Sequence, residues 1–155
     1  MSDDPKLREL RPEMRVKVAA ILDELTARGY SPRISNAYRT WAQQAQKIKE
    51  GAAMPGARDP GAHNWGLACD VIDKRWGWKV SEENARFFAA LADLATEHGL
   101  VTGGHWFGAG GTREKPTHRS EWNRWGLGWD VAHIEWRNPS AGWRRDWSSG
   151  ILEGG

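Results

Sequence analysis

Gly61-Ala-His-Asn-Trp-Gly-Leu-Ala-Cys-Asp-Val-Ile-Asp73 sets a histidine and a carboxylate seven residues apart, with a glycine between them. On a helix, His63 and Asp70 would stand about 10 Å apart along the axis, too far for both to reach one ion at roughly 2 Å. A turn at Asn64-Trp65-Gly66 leading into a strand removes the difficulty. Along Leu67–Ile72 the side chains then alternate, with Ala68, Asp70 and Ile72 on one face and Leu67, Cys69 and Val71 on the other. Asp70 stands in an otherwise apolar row. A lone buried carboxylate is costly, so it needs a partner.

Asp130-Val-Ala-His-Ile-Glu-Trp136 answers the first run further along the chain. Read as a strand, it puts His133 and Glu135 on one face, while Asp130, three residues before His133, points away. Asp130 joins them only if it lies on a bend entering the strand, where Gly128 offers a break. Two histidines and one carboxylate meet the demand of a hydrolytic zinc ion for three N/O ligands and one open position. The residues therefore read as one zinc on His63, Asp70 and His133. Asp130 would be the base for a water whose pKa the metal lowers to about 7. A developing oxyanion needs a fixed cation, and Arg39, at a strand-to-helix junction, is the best-placed candidate for catalysis and substrate binding.

Other residues compete for these roles. His105 is the rival ligand. Glu135 is the rival base, or else a partner that orients a ligand histidine. His98 precedes Gly99 at a helix end, where a cation is favoured. His118 falls in a charged loop and reads as solvated, Asp73 as a strand-end surface residue, and Cys69 as buried and inert. Gln44 reads equally as a helix-surface residue or a functional one.

Around these motifs the chain alternates helices and short strands. Residues 1–12 are a polar lead-in. Met14, Val18, Ile21, Leu22 and Leu25 recur at helical spacing from Pro12 to Arg28, and Gly29 stops that helix. Tyr30–Tyr38, interrupted by Pro32, reads as an edge strand. Thr40, with Gln43 three residues on, caps a helix to about Glu50 that ends at Gly51. Residues 51–62 hold three glycines and two prolines and form a loop. Ser81 opens a further helix with a Phe87, Phe88, Leu91, Leu94, Ala95 stripe, Leu100–Thr102 is extended, and Asp130–Trp136 is the last strand. Residues 107–128 make a Gly-rich, charged loop, read as a binding loop or a lid because loops of that length are seldom idle. The result is one domain over 1–155, with a core of about 12–137 and a tail over 138–155.

Composition narrows the function class. The 22 basic and 20 acidic residues nearly cancel, which argues against a dedicated nucleic-acid binder with its concentrated basic face. The pI near 8.9 suits an anionic polymer such as a bacterial wall. No run of about 18 apolar residues occurs, so no membrane span is expected. The acidic start Met-Ser-Asp-Asp-Pro is not a secretory signal, and the single cysteine fits synthesis in a reducing cytoplasm. Of eleven tryptophans, ten lie from Trp65 onward. About half read as core filler and the rest as groove lining.

The motifs resemble those of the zinc D-Ala-D-Ala-type metallopeptidases, which share a fold with the hedgehog signalling domain. The nearest likeness is to the L-alanyl-D-glutamate endopeptidases of phage endolysins. That family pairs a Ser-x-His-x-x-Gly-x-Ala-x-Asp segment with a later Asp-x-x-His. Gly61-Ala-His63-Asn-Trp-Gly66-Leu-Ala68-Cys-Asp70 and Asp130-Val-Ala-His133 match both. Ile34-Ser35-Asn-Ala-Tyr38-Arg39-Thr-Trp-Ala-Gln-Gln44 is similar to its Ser-Gly-Tyr-Arg-Ser…Gln block, and Gly103-Gly104-His-Trp106 to its Gly-Gly-x-Trp. The resemblance covers about residues 30–136. It implies an α+β fold in which an antiparallel sheet carries the metal with helices behind it. It also implies zinc on His63, Asp70 and His133, catalysis by Asp130 and a substrate-facing Arg39. Gly61 replaces the motif serine, Asn36-Ala37 replaces Ser-Gly, and the link from Trp106 to Asp130 is longer than the family's.

The expected activity is hydrolysis of peptidoglycan stem peptides at L-Ala-D-Glu by a monomeric, phage-type endolysin that is made in the cytoplasm and acts on the wall. The alternatives are a D-Ala-D-Ala carboxypeptidase or dipeptidase with the same metal site, and a non-catalytic zinc-containing wall-binding module. Asp130 argues against the last, because a structural zinc has no use for a base beside an open position.

Overall fold

The structure, a computed structural model, describes residues 2–37 and 66–137. The expected helix from Thr40, the 51–62 loop, Arg39, Gln44, Gly61, His63 and the 138–155 tail lie outside the described residues. Among the described residues, two helices and a four-stranded antiparallel sheet carry the fold: α1 (Pro12–Ala27), β1 (Pro32–Asn36), β2 (Ala68–Asp73), α2 (Glu82–Glu97), β3 (Val101–Thr102) and β4 (His133–Glu135). This is the α+β architecture expected from the motifs.

Each helix starts and stops where its sequence directs. In α1, Pro12 occupies the first turn, where a missing N–H costs nothing, and Met14, Val18, Ile21, Leu22 and Leu25 are all buried. The Ser81 hydroxyl accepts from the Asn84 N–H to cap α2, and Gly99 follows its end at φ +76°. His98 sits at the C-terminus of α2, as its sequence position indicates. The stripe Phe87, Phe88, Leu91, Leu94 and Ala95 is buried. The polar lead-in is more than a tether. A short 3-10 turn over Pro5–Glu9 brings Leu7 and Leu10 into the core, and the Asp4 carboxylate accepts from the Ile34 N–H on β1.

The strand order is β1-β2-β4-β3, which places the Pro-containing β1 at an edge. Register sorts the side chains. Val71 pairs with Ile34 and Cys69 with Ile134, and all four lie in the core with the two helices. Asp70 pairs with His133 across the β2–β4 ladder and, by parity, shares the opposite face with it. The alternation read from Leu67–Ile72 thus holds. Beside Asp70 the β1–β2 register shifts between Ile34 and Asn36, a bulge of the kind that re-aims a strand next to a functional site.

The expected last strand, Asp130–Trp136, is shorter than its sequence indicated, because Asp130 to Ala132 turn before β4 begins at His133. Asp73 also departs from expectation. Its side chain is fully buried rather than on the surface. It accepts from the backbone N–H of Ser31 and Arg75 and from two guanidinium nitrogens of Arg75, which clamps the end of β2 to the chain entering β1.

Candidate active site

The approach to Asp130 is built from glycines and backbone bonds. Thr102 caps a 3-10 turn over Gly103–His105, its hydroxyl accepting from the Gly104 N–H. Gly128 N–H donates to Gly104 O at 2.7 Å, Trp129 N–H to Trp106 O at 3.0 Å, and Asp130 N–H to Gly103 O at 3.4 Å. The two segments run so close that a Cβ on Gly103 would fall on the carbonyl of Asp130, and one on Gly128 would fall on the backbone of Trp106. The break at Gly128 is therefore real, and its cause is close approach rather than a positive φ. The His133 N–H then donates to Asp130 O at 3.1 Å, closing the bend that turns Asp130 toward the face of His133.

His133 is the centre of the group. Its ring is buried, with 7 % of the residue exposed. Nε2 lies 2.7 Å from Oε1 of Glu135, and Nδ1 lies 3.3 Å from Oδ1 of Asp70 and 4.0 Å from Oδ2 of Asp130. Arg137 donates from Nε to the other oxygen of Glu135 at 3.0 Å and lies over the Trp106 ring, 5.2 Å from its centre. The Trp106 ring stands 5.1 Å from the His133 ring and walls that side of the site.

Three carboxylates around one imidazole set the electrostatics. Burial alone would push His133 down, but hydrogen bonds to Asp70 and Glu135 and the nearby Asp130 charge raise it to about 10. Burial alone would raise Glu135, yet its bonds to His133 and Arg137 hold it below the usual carboxylate range. The field at Nδ1 thus favours positive charge. Glu135, read from sequence as a rival base or an orienting partner, occupies the orienting position. Its oxygen engages the nitrogen on the far side of the ring from Asp70.

Of the five residues singled out, the structure brings together Asp70, Asp130 and His133, while His63 and Arg39 fall outside the described residues. No set of three potential metal-binding side chains forms among the described residues alone. Asp70 and His133 Nδ1 together present the N/O chemistry that zinc accepts. His105, the rival ligand, is exposed. Cys69 is fully buried, and burial pushes its thiol well up, so it stays protonated and inert.

The structure adds a feature that the sequence did not disclose. The 107–128 loop is folded on itself. Thr117 and His118 N–H both donate to Phe107 O, at 2.7 and 2.9 Å, and Ser120 forms a capping box with Asn123 over a 3-10 turn at Glu121–Trp125. His118, expected to be merely solvated, is exposed but stacks on Trp129, with ring centres 4.6 Å apart and planes 13° apart. Nothing in the spacing of residues 107–128 signals that pairing.

Neither a family model nor a curated protein sequence matches the chain. Solved structures do. A Serratia marcescens L-Ala D-Glu endopeptidase, ChiX, superposes with a TM-score of 0.54 at 18% identity, over 86% of this chain and 84% of that one. The LD-carboxypeptidase LdcB, whose structure addresses peptidoglycan recognition, also gives 0.54, at 17% identity over 94% and 69% of the two chains. VanYB in complex with D-alanine-D-alanine gives 0.52 at 12% identity, over 83% and 72%. The chain has the fold of these peptidases, which is the fold that the motif resemblance implied.

Proposed function

We propose that the chain is a zinc metallopeptidase that hydrolyses peptidoglycan stem peptides at the L-Ala-D-Glu bond, in the manner of a phage endolysin. The observation that carries this reading is the convergence of Asp70 and Asp130 on the Nδ1 side of His133, in a fold shared with a solved L-Ala D-Glu endopeptidase. In the proposal, His63, Asp70 and His133 hold one zinc ion within a single catalytic domain whose core spans about residues 12–137. Bound there, zinc would supply a Lewis acid that acidifies water and polarises the scissile carbonyl.

The residues then divide the work. Glu135 accepts from Nε2–H of His133, which makes Nδ1 the nitrogen that would hold the metal. Asp130, with its side chain about one-third exposed, takes the proton of the attacking water and returns it to the leaving amine. Arg39 steadies the negative charge that develops on the carbonyl oxygen. Trp106 shields the imidazole from bulk water on one side. Among the described residues no helix is long and apolar enough to cross a membrane. The enzyme in this reading is a monomer, needs no nucleic acid, is made in the cytoplasm and acts on the wall.

The bond is tested by digesting purified muropeptides and sequencing the products by mass spectrometry. New D-Glu amino termini are the expected result. Release of free D-Ala instead would establish a carboxypeptidase, and binding to wall without any cleavage would leave a wall-binding module.

A further inference from the structure

A row of rings runs from the site into the long loop. Trp106 stands 5.1 Å from His133, Trp129 stands 6.0 Å from Trp106, and His118 stacks on Trp129 at 4.6 Å. These rings, with Phe107 and Arg137, line a cleft of about 400 Å³, and Trp106 is the residue that joins it to the His133 side of the site. Trp106 and Trp129 are half-buried and His118 is exposed, so the cleft is an open shelf. An open shelf admits a segment of a longer polymer more readily than it encloses a small molecule.

Its chemistry restricts the occupant. No carboxylate is among the described residues that line it. Its permanent cation, Arg137, already has Nε on Glu135, which offsets the charge and argues against an anionic group as the main ligand. Flat π faces and the remaining guanidinium N–H donors suit an uncharged ring that carries amide and hydroxyl groups. In peptidoglycan the stem peptide begins at such a ring, and the L-Ala-D-Glu bond lies one residue beyond it.

We propose that the cleft formed by Trp106, Trp129 and His118 is a subsite for the N-acetylated amino sugar that bears the stem peptide. The proposal rests on the peptidase reading for its substrate, but not for its measurement. Titration calorimetry of the zinc-loaded full chain with the peptide-free disaccharide N-acetylglucosaminyl-N-acetylmuramic acid, its lactyl carboxyl capped as the methylamide as the stem peptide caps it, detects binding without turnover. Saturable binding is expected, about fivefold weaker in His118→Ala. It should be restored in His118→Phe, which keeps a flat face, and unaltered in Trp78→Ala, an exposed tryptophan away from the cleft. Absence of disaccharide binding, equal binding by His118→Ala, or binding of only the sugar-free anionic stem peptide overturns the subsite. Hydrolysis of free stem peptide by the same preparation reports separately on the peptidase reading. Cleavage without disaccharide binding therefore overturns the subsite alone, and His118-dependent binding without cleavage supports it while removing the peptidase.

Discussion

Glu135 holds His133 from behind: Oε1 lies 2.7 Å from Nε2, and the opposite nitrogen faces Asp70 and Asp130. A carboxylate in that position orients an imidazole and raises its basicity as a ligand. The cross-strand pairing of Asp70 with His133 does the rest, since both side chains leave the sheet on one face.

Glu135→Gln should therefore loosen the metal without removing a ligand. Zinc affinity, measured by competition with a chromophoric chelator, should fall about 10- to 100-fold. Unchanged affinity would mean that the 2.7 Å contact is incidental to metal binding.

Asp130→Asn separates binding from chemistry. The amide preserves shape but cannot accept a proton, so kcat should fall by about 10²- to 10⁴-fold while zinc stoichiometry stays at one per chain. Full turnover in this variant would remove Asp130 from the mechanism and return Glu135 as the base.

Gly128→Ala probes the bend itself. Its Cβ would meet the backbone of Trp106, with the nitrogen 2.5 Å away, so either the 103–106 turn or Asp130 must move. Overpacking of this kind costs about 1–3 kcal/mol, and thermal melting should register it together with lost activity. Gly110→Ala is the contrast. It meets nothing within 4 Å, and its cost is confined to holding a side chain at φ +72°.

Asp73 supplies a pH signature remote from the site. Burial alone would raise its carboxyl, but the Arg75 guanidinium and the Ser31 and Arg75 N–H groups hold it below the usual range. A depressed folded pKa gives stability that is present above the unfolded value near 3.9 and lost as pH falls through the folded one. Asp73→Asn should cost on the order of 2 kcal/mol near neutral pH. Denaturant titration should show that the gap to wild type narrows below about pH 4. A gap that widens in acid would contradict the depressed pKa.

The residues that carried the fold in sequence were those with strict periodicity. The α1 and α2 stripes translate directly into burial, and the β2 alternation into the face that Asp70 shares with His133, because each repeats a local geometry. Asp130 was legible only as a condition, since its orientation depends on how closely Gly103 and Gly128 let two distant segments pack. Asp73 was misread as exposed because its partner Ser31 lies 42 residues away, beyond any local pattern. The His118–Trp129 stack was hidden for the same reason, as the loop's return onto Phe107 is a matter of long-range backbone bonding.

The central claim is that metal held at His133 and Asp70 drives cleavage of the wall peptide. Its most direct measurement is the rate of amine release from purified peptidoglycan by the intact chain, before and after chelation and then with zinc restored. The account predicts that chelation abolishes release and that about one equivalent of zinc per chain recovers it. Release that continues unchanged after the metal has been removed would contradict it.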